Sequence, residues 1–164
     1  MGRKAKKSSS SKSIATEGVV VRHRRAFRDY EILKRYEAGL VLIGSEIKSI
    51  REHKVDLIGS YARMRGSEIW LVDTYIAAYE NANYVTYDVR RERKLLLHKK
   101  EIAEIREALE ERRLTLLPLS LSIRRGRAKI ELGIAKGLKN YDKRRRIQER
   151  DQERQVARAL RHSV

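Results

Sequence analysis

The amino-acid sequence predicts a mainly β fold: a small antiparallel barrel with short flanking helices and a basic C-terminal tail. Three observations lead there. Short runs of strand-forming residues, separated by turns that carry Gly, recur between Tyr30 and Ala135, with one amphipathic helix among them. Lys and Arg number 39 against 22 Asp and Glu, a net charge of +17 on 164 residues. At both ends apolar residues thin out, so the core must come from the middle of the chain. The length suits one compact domain plus tails. The expected division is a basic arm over 1–17, a barrel over 18–137 and a tail over 138–164.

In chain order, the arm sets Arg3, Lys4, Lys6, Lys7 and Lys12 among serines and has nothing to pack. It is expected to be disordered, either touching RNA phosphates or only keeping the chain soluble. Tyr30, Ile32 and Tyr36 alternate with charges as a strand would, and Leu40-Val41-Leu42-Ile43 reads as a short buried run. Gly39 suggests a bulge or sharp bend. A short helix follows over Ser45–Arg51, with Ser45 as N-cap and Ile47 and Ile50 on one face. Tyr61–Arg65 and Glu68–Val72, joined by Gly66-Ser67, carry a hairpin signal. Residues 80–93, with Tyr84 and Tyr87, look like a long loop or ribbon leading into Leu95-Leu96-Leu97.

A helix is expected over Lys99–Arg113, with Ile102, Ile105, Leu109 and Leu114 as its apolar stripe. Strands over Thr115–Ile123 and Ala128–Ala135 flank a turn at Arg125-Gly126. Pro118 must sit at an edge or an irregular position, because it cannot donate to a central ladder. Such content suits an oligonucleotide-binding (OB) barrel or an SH3-like barrel, and periodicity does not choose between them. The tail holds nine Lys or Arg against four acids and few apolar residues, namely Ile147, Val156, Ala157 and Leu160. It is expected to be largely unfolded alone and helical against a polyanion.

A charge of this size repels itself unless a polyanion neutralises it, so nucleic acid is the first expected partner and an anionic membrane the second. The membrane reading is weak. No apolar stretch could span a bilayer, the start lacks the apolar centre of a secretory signal, and Lys6 stands where a myristoylation signal has Ser or Thr. The chain has no Cys, which removes disulfides and thiolate chemistry and fits a reducing cytoplasm. His23, His53, His98 and His162 are scattered without metal-ligand spacing, and each reads as a surface or RNA-contacting residue. Carboxylates form no acid–base motif and no phosphate-binding Gly-rich loop occurs. No metal, no cofactor and no catalysis are expected. Basic runs interleaved with aromatics do point to RNA: Arg22-His23-Arg24-Arg25 beside Phe27 and Tyr30, Arg90-Arg91-Glu92-Arg93-Lys94 after Tyr84 and Tyr87, and the hairpin tip Arg124-Arg125-Gly126-Arg127.

Six segments stand in an order and spacing that resemble one known family: Tyr36-Glu37-Ala38-Gly39, Gly44-Ser45-Glu46-Ile47-Lys48-Ser49, Ser60-Tyr61-Ala62, Arg93–Lys99, Ala135-Lys136-Gly137 and Tyr141-Asp142-Lys143-Arg144. The chain is similar over residues 23–161 to the SsrA-binding (small protein B) family. That resemblance implies an OB-like barrel that binds the tRNA-like part of transfer-messenger RNA (tmRNA). It implies delivery of that RNA to stalled ribosomes, with the elongation factor that carries aminoacyl-tRNA, so that the nascent chain gains a degradation tag. The protein would act without catalytic chemistry, as a monomer, in contact with small-subunit ribosomal RNA.

Carried over by residue, the resemblance implies RNA contacts at Glu37 and Leu96; His23, Arg24, Arg25, Arg93 and Lys94 of the basic runs and Lys136 of a matched segment are expected to contact RNA beside them. A carboxylate such as Glu37 would accept from base or sugar donors and supply specificity rather than affinity. In the tail it implies decoding-centre contacts for Tyr141, Asp142, Lys143 and Arg144, and an apolar pair at Ala159 and Leu160. The family commonly has Asn at His23, His at Arg28, Pro at Val89 and Lys at Leu138. The rival reading is a generic OB-fold RNA binder of the ribosome or tRNA, which would not need the tail motif.

Overall fold

The structure, a computed structural model, describes residues 17–80 and 87–162. The arm over 1–16, Tyr84 and the side chain of His162 lie outside the described residues. The elements run β1 (Gly18–Arg22), α1 (Arg24–Asp29), β2 (Tyr30–Leu40), α2 (Gly44–Arg51), β3 (Val55–Asp56), β4 (Tyr61–Arg65), β5 (Glu68–Val72), β6 (Tyr75–Ile76), β7 (Arg93–Leu96), α3 (Lys99–Glu110), β8 (Leu114–Arg124), β9 (Arg127–Gly137) and α4 (Asn140–His162).

Strands β8, β4, β5, β7, β2 and β9 pair antiparallel in that order, and β9 pairs back onto β8, which closes the barrel. β1 adds to β8 alongside Ser120–Ile123. This is the OB-like antiparallel barrel that the sequence leads one to expect. Alternation dictates its interior: Ala62, Ile69, Leu71, Leu95, Leu121, Ile123, Ile130 and Leu132 point inward and are buried. Ile50 of α2 and Ile105 of α3 are fully buried in the same core. A smaller cluster lies outside the barrel wall, where Ala26 of α1 meets Leu117, Leu119 and Ala135. Gly133 makes room for it. A Cβ there would stand 2.8 Å from Leu119 Cδ1 and 3.0 Å from Ile32 Cγ2.

The two hairpins stand where the turns predict them. Arg124 pairs with Arg127 across Arg125 (φ 50) and Gly126 (φ 73), both left-handed as a type I′ turn requires. Pro118 sits at a register shift between Pro118 and Ser120, the irregular position it needs.

Other expectations are corrected. Leu40-Val41-Leu42-Ile43 is not buried: β2 ends at Leu40, and Val41 (44%) and Ile43 (38%) are exposed. Gly39 is not a bulge. It sits where β2 passes from β9 to β7, with Leu96 Cβ 3.3 Å from where its own Cβ would be, and the bulge lies earlier, between Ile32 and Lys34. Ser45 is not the cap of α2. Ile43 holds the N-cap position, its N–H donates to Glu46 Oε2 at 2.9 Å, and the Ser45 hydroxyl is buried without a partner. α3 ends at Glu110, so Leu114 belongs to β8 rather than to the helix stripe. β1 and α1 are additions that the basic run had concealed. Glu17, expected in a disordered arm, accepts the Arg125 N–H at 3.4 Å. The tail, expected to be helical against a polyanion, forms the 23-residue helix α4. Its helix formers and the Arg145–Glu149 pair at 2.9 Å favour that state.

Candidate nucleic-acid interface

Two of the six recognised segments clasp each other inside the protein. Glu46 and Arg93 are both fully buried. Arg93 Nη2 and Nε meet Glu46 Oε1 at 2.7 and 2.9 Å, and Arg91 Nε meets the same oxygen at 3.0 Å. The remaining Arg93 donors reach carbonyls of Thr74 (2.8 Å), Arg91 (2.9 Å) and Val89 (3.2 Å). Burial pushes the Glu46 carboxyl up, but the guanidiniums and the Ile43 N–H outweigh it and hold it below the usual carboxylate value. The network is satisfied at every donor of Arg93, which makes the buried pair tolerable. It ties the start of α2 to the segment entering β7.

Two expected contacts are thereby corrected. Arg93 has no exposed surface to offer a phosphate. His23 is also buried; its backbone N–H donates to the Leu119 carbonyl at 2.8 Å and its Nδ1 to the Pro118 carbonyl at 2.9 Å. It anchors α1 to the bulge of β8. Lys94 remains half-exposed, with its ammonium on Glu68, whose carboxyl that pairing lowers.

The outer barrel wall does gather several groups. Glu37 and Gly39 share one face of β2, and Leu96 of β7 lies against Gly39, half exposed at 52%. Opposite them on β9 stand Glu131 and Lys129. Glu37 pairs with Arg124 at 3.0 Å, and Arg35 reaches Glu131 at 3.3 Å while lying over the Phe27 ring. These side chains surround a cleft of about 470 Å³ that also takes in Arg22, Ser120 and Ser122. Leu96 forms a ridge between two further grooves. One, of about 340 Å³, has an apolar floor of Leu40, Leu42 and Ile47 and a rim of Arg127 and Lys129. The other, of about 600 Å³, runs toward Lys99 and Arg106 of α3.

The sequence had pointed to Phe27 beside its basic run but had not selected Arg35, Lys129 or Glu131. Period-2 alternation along β9 would have found two of them, since Arg127, Lys129 and Glu131 all have outward parity. The other selected residues lie apart from this wall. Arg24 and Arg25 are exposed on α1. Lys136 is exposed beside Glu31, five residues along β9 from the partner of Glu37, or about 17 Å away. Tyr141 is 76% exposed at the start of α4, followed by Asp142 in its first turn, half-buried Lys143 within 3.7 Å of Asp29, and exposed Arg144. Leu160 (66%) is exposed with Ala159 beside it near the far end. At 1.5 Å per residue, Tyr141 and Leu160 stand roughly 28 Å apart.

Among the described residues no three His, Asp or Glu gather as a metal-ligand set, and no helix is long and apolar enough to cross a membrane. What the wall offers is cationic rims, apolar floors, an aromatic ring and two acceptor carboxylates, which is the chemistry of base and backbone contact.

Comparison with known proteins agrees with that chemistry. Residues 20–162 match the family model described as SmpB protein. An SsrA-binding protein of Carboxydothermus hydrogenoformans is 46% identical over 145 residues, 88% of this chain and 97% of its own. One from Limosilactobacillus reuteri is 44% identical over 146 residues, 89% and 93% of the two chains. A solved chain described as "tmRNA-SmpB: a journey to the center of the bacterial ribosome" superposes with a TM-score of 0.63 at 49% identity. The match covers 73% of this chain and 85% of that one.

Proposed function

The chain belongs to the SmpB family of SsrA-binding proteins, and we propose that it binds the tRNA-like part of tmRNA through the barrel wall and acts in ribosome rescue through its tail. Together with the elongation factor that carries aminoacyl-tRNA, it brings that RNA to stalled ribosomes, where the nascent chain is tagged. It supplies no catalytic chemistry and works in the cytoplasm as a monomer. The barrel over 18–137 and the tail over 138–164 divide the two tasks.

The observation that carries the reading is the joint placement of Glu37 and Leu96 on one outer wall, beside Arg124 and Lys129. The cations give affinity for phosphates, and Glu37 selects by accepting hydrogen bonds from bases or riboses. Leu96 offers an apolar ridge to a base or sugar face. Arg24, Arg25, Lys94 and Lys136 extend the cationic surface. Arg93 and His23 hold the wall in shape rather than touch RNA. In the tail, Tyr141 stacks on ribosomal RNA in the decoding centre. Asp142, Lys143 and Arg144 set its entry, and Ala159 and Leu160 provide the apolar pair further along the messenger channel.

Recovery of the bound RNA from native lysate, followed by sequencing, tests the partner: one tRNA-like RNA is expected, and a broad mixture would favour a generic binder. Glu37→Ala tests the selecting group. It makes the chain more positive and frees Arg124 from its partner, so Coulomb attraction alone predicts tighter binding. Weaker binding to tmRNA at fixed salt is expected; equal or tighter binding would remove the specific role.

A further inference from the structure

The face of α4 nearest the barrel lacks what docks a helix. Ile147, Arg150, Asp151 and Arg154 recur at helical spacing and line one cleft with Arg24, Arg25 and Arg28 of α1, about 290 Å³ in volume. The only apolar member is Ile147, itself 47% exposed. Five guanidiniums thus face a single carboxylate. Asp151 lies 4.0 Å from Arg154, and Arg28 is held by Asp29 at 3.2 Å, outside the cleft. Among the described residues no ion pair forms to Arg24, Arg25 or Arg150. The start of the helix is pinned by the Leu138 N–H on the Asp29 carbonyl at 3.1 Å and by Lys143 near its carboxylate. Beyond that pin, bringing α4 against α1 gathers like charges with little burial in return. Hydrophobic burial does not explain this packing, and repulsion opposes it.

Guanidiniums on two facing elements are well suited to a phosphate, since each offers forked donors to a tetrahedral oxyanion. We infer that the α1–α4 cleft is a phosphate-binding clamp, and that an anion in it fixes the direction in which the tail leaves the barrel. The phosphate comes from an RNA backbone or from free phosphate in solution. An RNA source rests on the function proposed above; the clamp itself does not.

The chain has no Cys, so a spin-label pair at Lys99→Cys and Gln155→Cys reads the barrel-to-tail distance in the full chain. Inorganic phosphate should convert a broad distribution into a narrow one, raising the ratio of docked to undocked tails by roughly tenfold. Sodium chloride at equal ionic strength should not. The tRNA-like RNA narrowing the distribution where free phosphate fails would assign the site to an RNA phosphate; free phosphate acting alone would assign it to the free anion. A second variant, Arg150→Glu with Arg154→Glu, places carboxylates opposite the α1 arginines and should dock the tail without any phosphate, with helix content unchanged by circular dichroism. A parent tail docked in chloride alone, a tail insensitive to both phosphate sources, or a double variant that stays undocked would overturn the clamp.

Discussion

In the barrel, arginine works as a buried tie; in the tail, it works as surface. Arg93 is fully buried and donates to Glu46 and three carbonyls. Arg150, Arg154 and Arg158 stand exposed on a helix whose larger apolar residues, Ile147, Val156 and Leu160, are 47%, 58% and 66% exposed. The same residue type thus serves stability in one region and attraction in the other. Barrel shape is set by a core that needs no ligand, so the groups on its outer wall are preorganised. The tail has almost no core, so on the proposal above its direction, rather than its fold, is set by the anions around it.

The largest effect should come from untying the barrel. Glu46→Ala leaves Arg93 buried without its counter-charge and should cost about 3–5 kcal/mol of stability, read by denaturant unfolding. The pH dependence has a fixed sign. The folded carboxyl titrates below its ordinary 4.5, so its contribution is present above that value and is lost as pH falls through the lower folded one. The parent should show this acid loss and Glu46→Ala should not; an identical acid limb in both would dissolve the contrast between tie and surface. A smaller effect is expected from Gly133→Ala. Its new Cβ must displace Leu119 or Ile32, at a cost of about 1–3 kcal/mol in the same unfolding measurement. Smallest for stability is Tyr141→Ala, within about 0.5 kcal/mol of the parent, because the ring is exposed. On stalled ribosomes the same change should lose a stacking contribution of roughly 1–3 kcal/mol, read as reduced tagging. Loss of thermal stability in Tyr141→Ala would mean that the ring belongs to the barrel.

The barrel was legible where local pattern decides the outcome. Alternation over Thr115–Ile123 and Ala128–Ala135, with Arg125-Gly126 between them, fixes a hairpin whatever lies elsewhere. It was less legible where a distant partner decides. Arg93 sits in a basic run and reads as a phosphate contact; its neutralising Glu46 lies 47 positions away. His23 likewise reads as surface until β8 folds over it and presents the Pro118 carbonyl. β1 and α1 escaped because five and six residues are too few for a period to emerge beneath a run of arginines. Leu40–Ile43 misled for the opposite reason: an apolar run usually marks a core, and here it lines a surface groove. Of the candidate interface, Glu37 and Leu96 came from the family pattern and Lys129 was within reach of alternation along β9, whereas Arg35 follows only from knowing that β2 and β9 are neighbours.

One pair of readings on a chain ending at Gly137 tests the division of labour most directly: tmRNA affinity and peptide tagging in a reconstituted stalled-translation assay. The core lies before Gly137, so the shortened chain should unfold within a few degrees of the parent and keep most of its affinity for isolated tmRNA. Tagging should fail, because nothing remains to stand in the messenger channel. Tagging at parental efficiency without α4 would contradict the account, and so would loss of tmRNA binding by a shortened chain that is still folded.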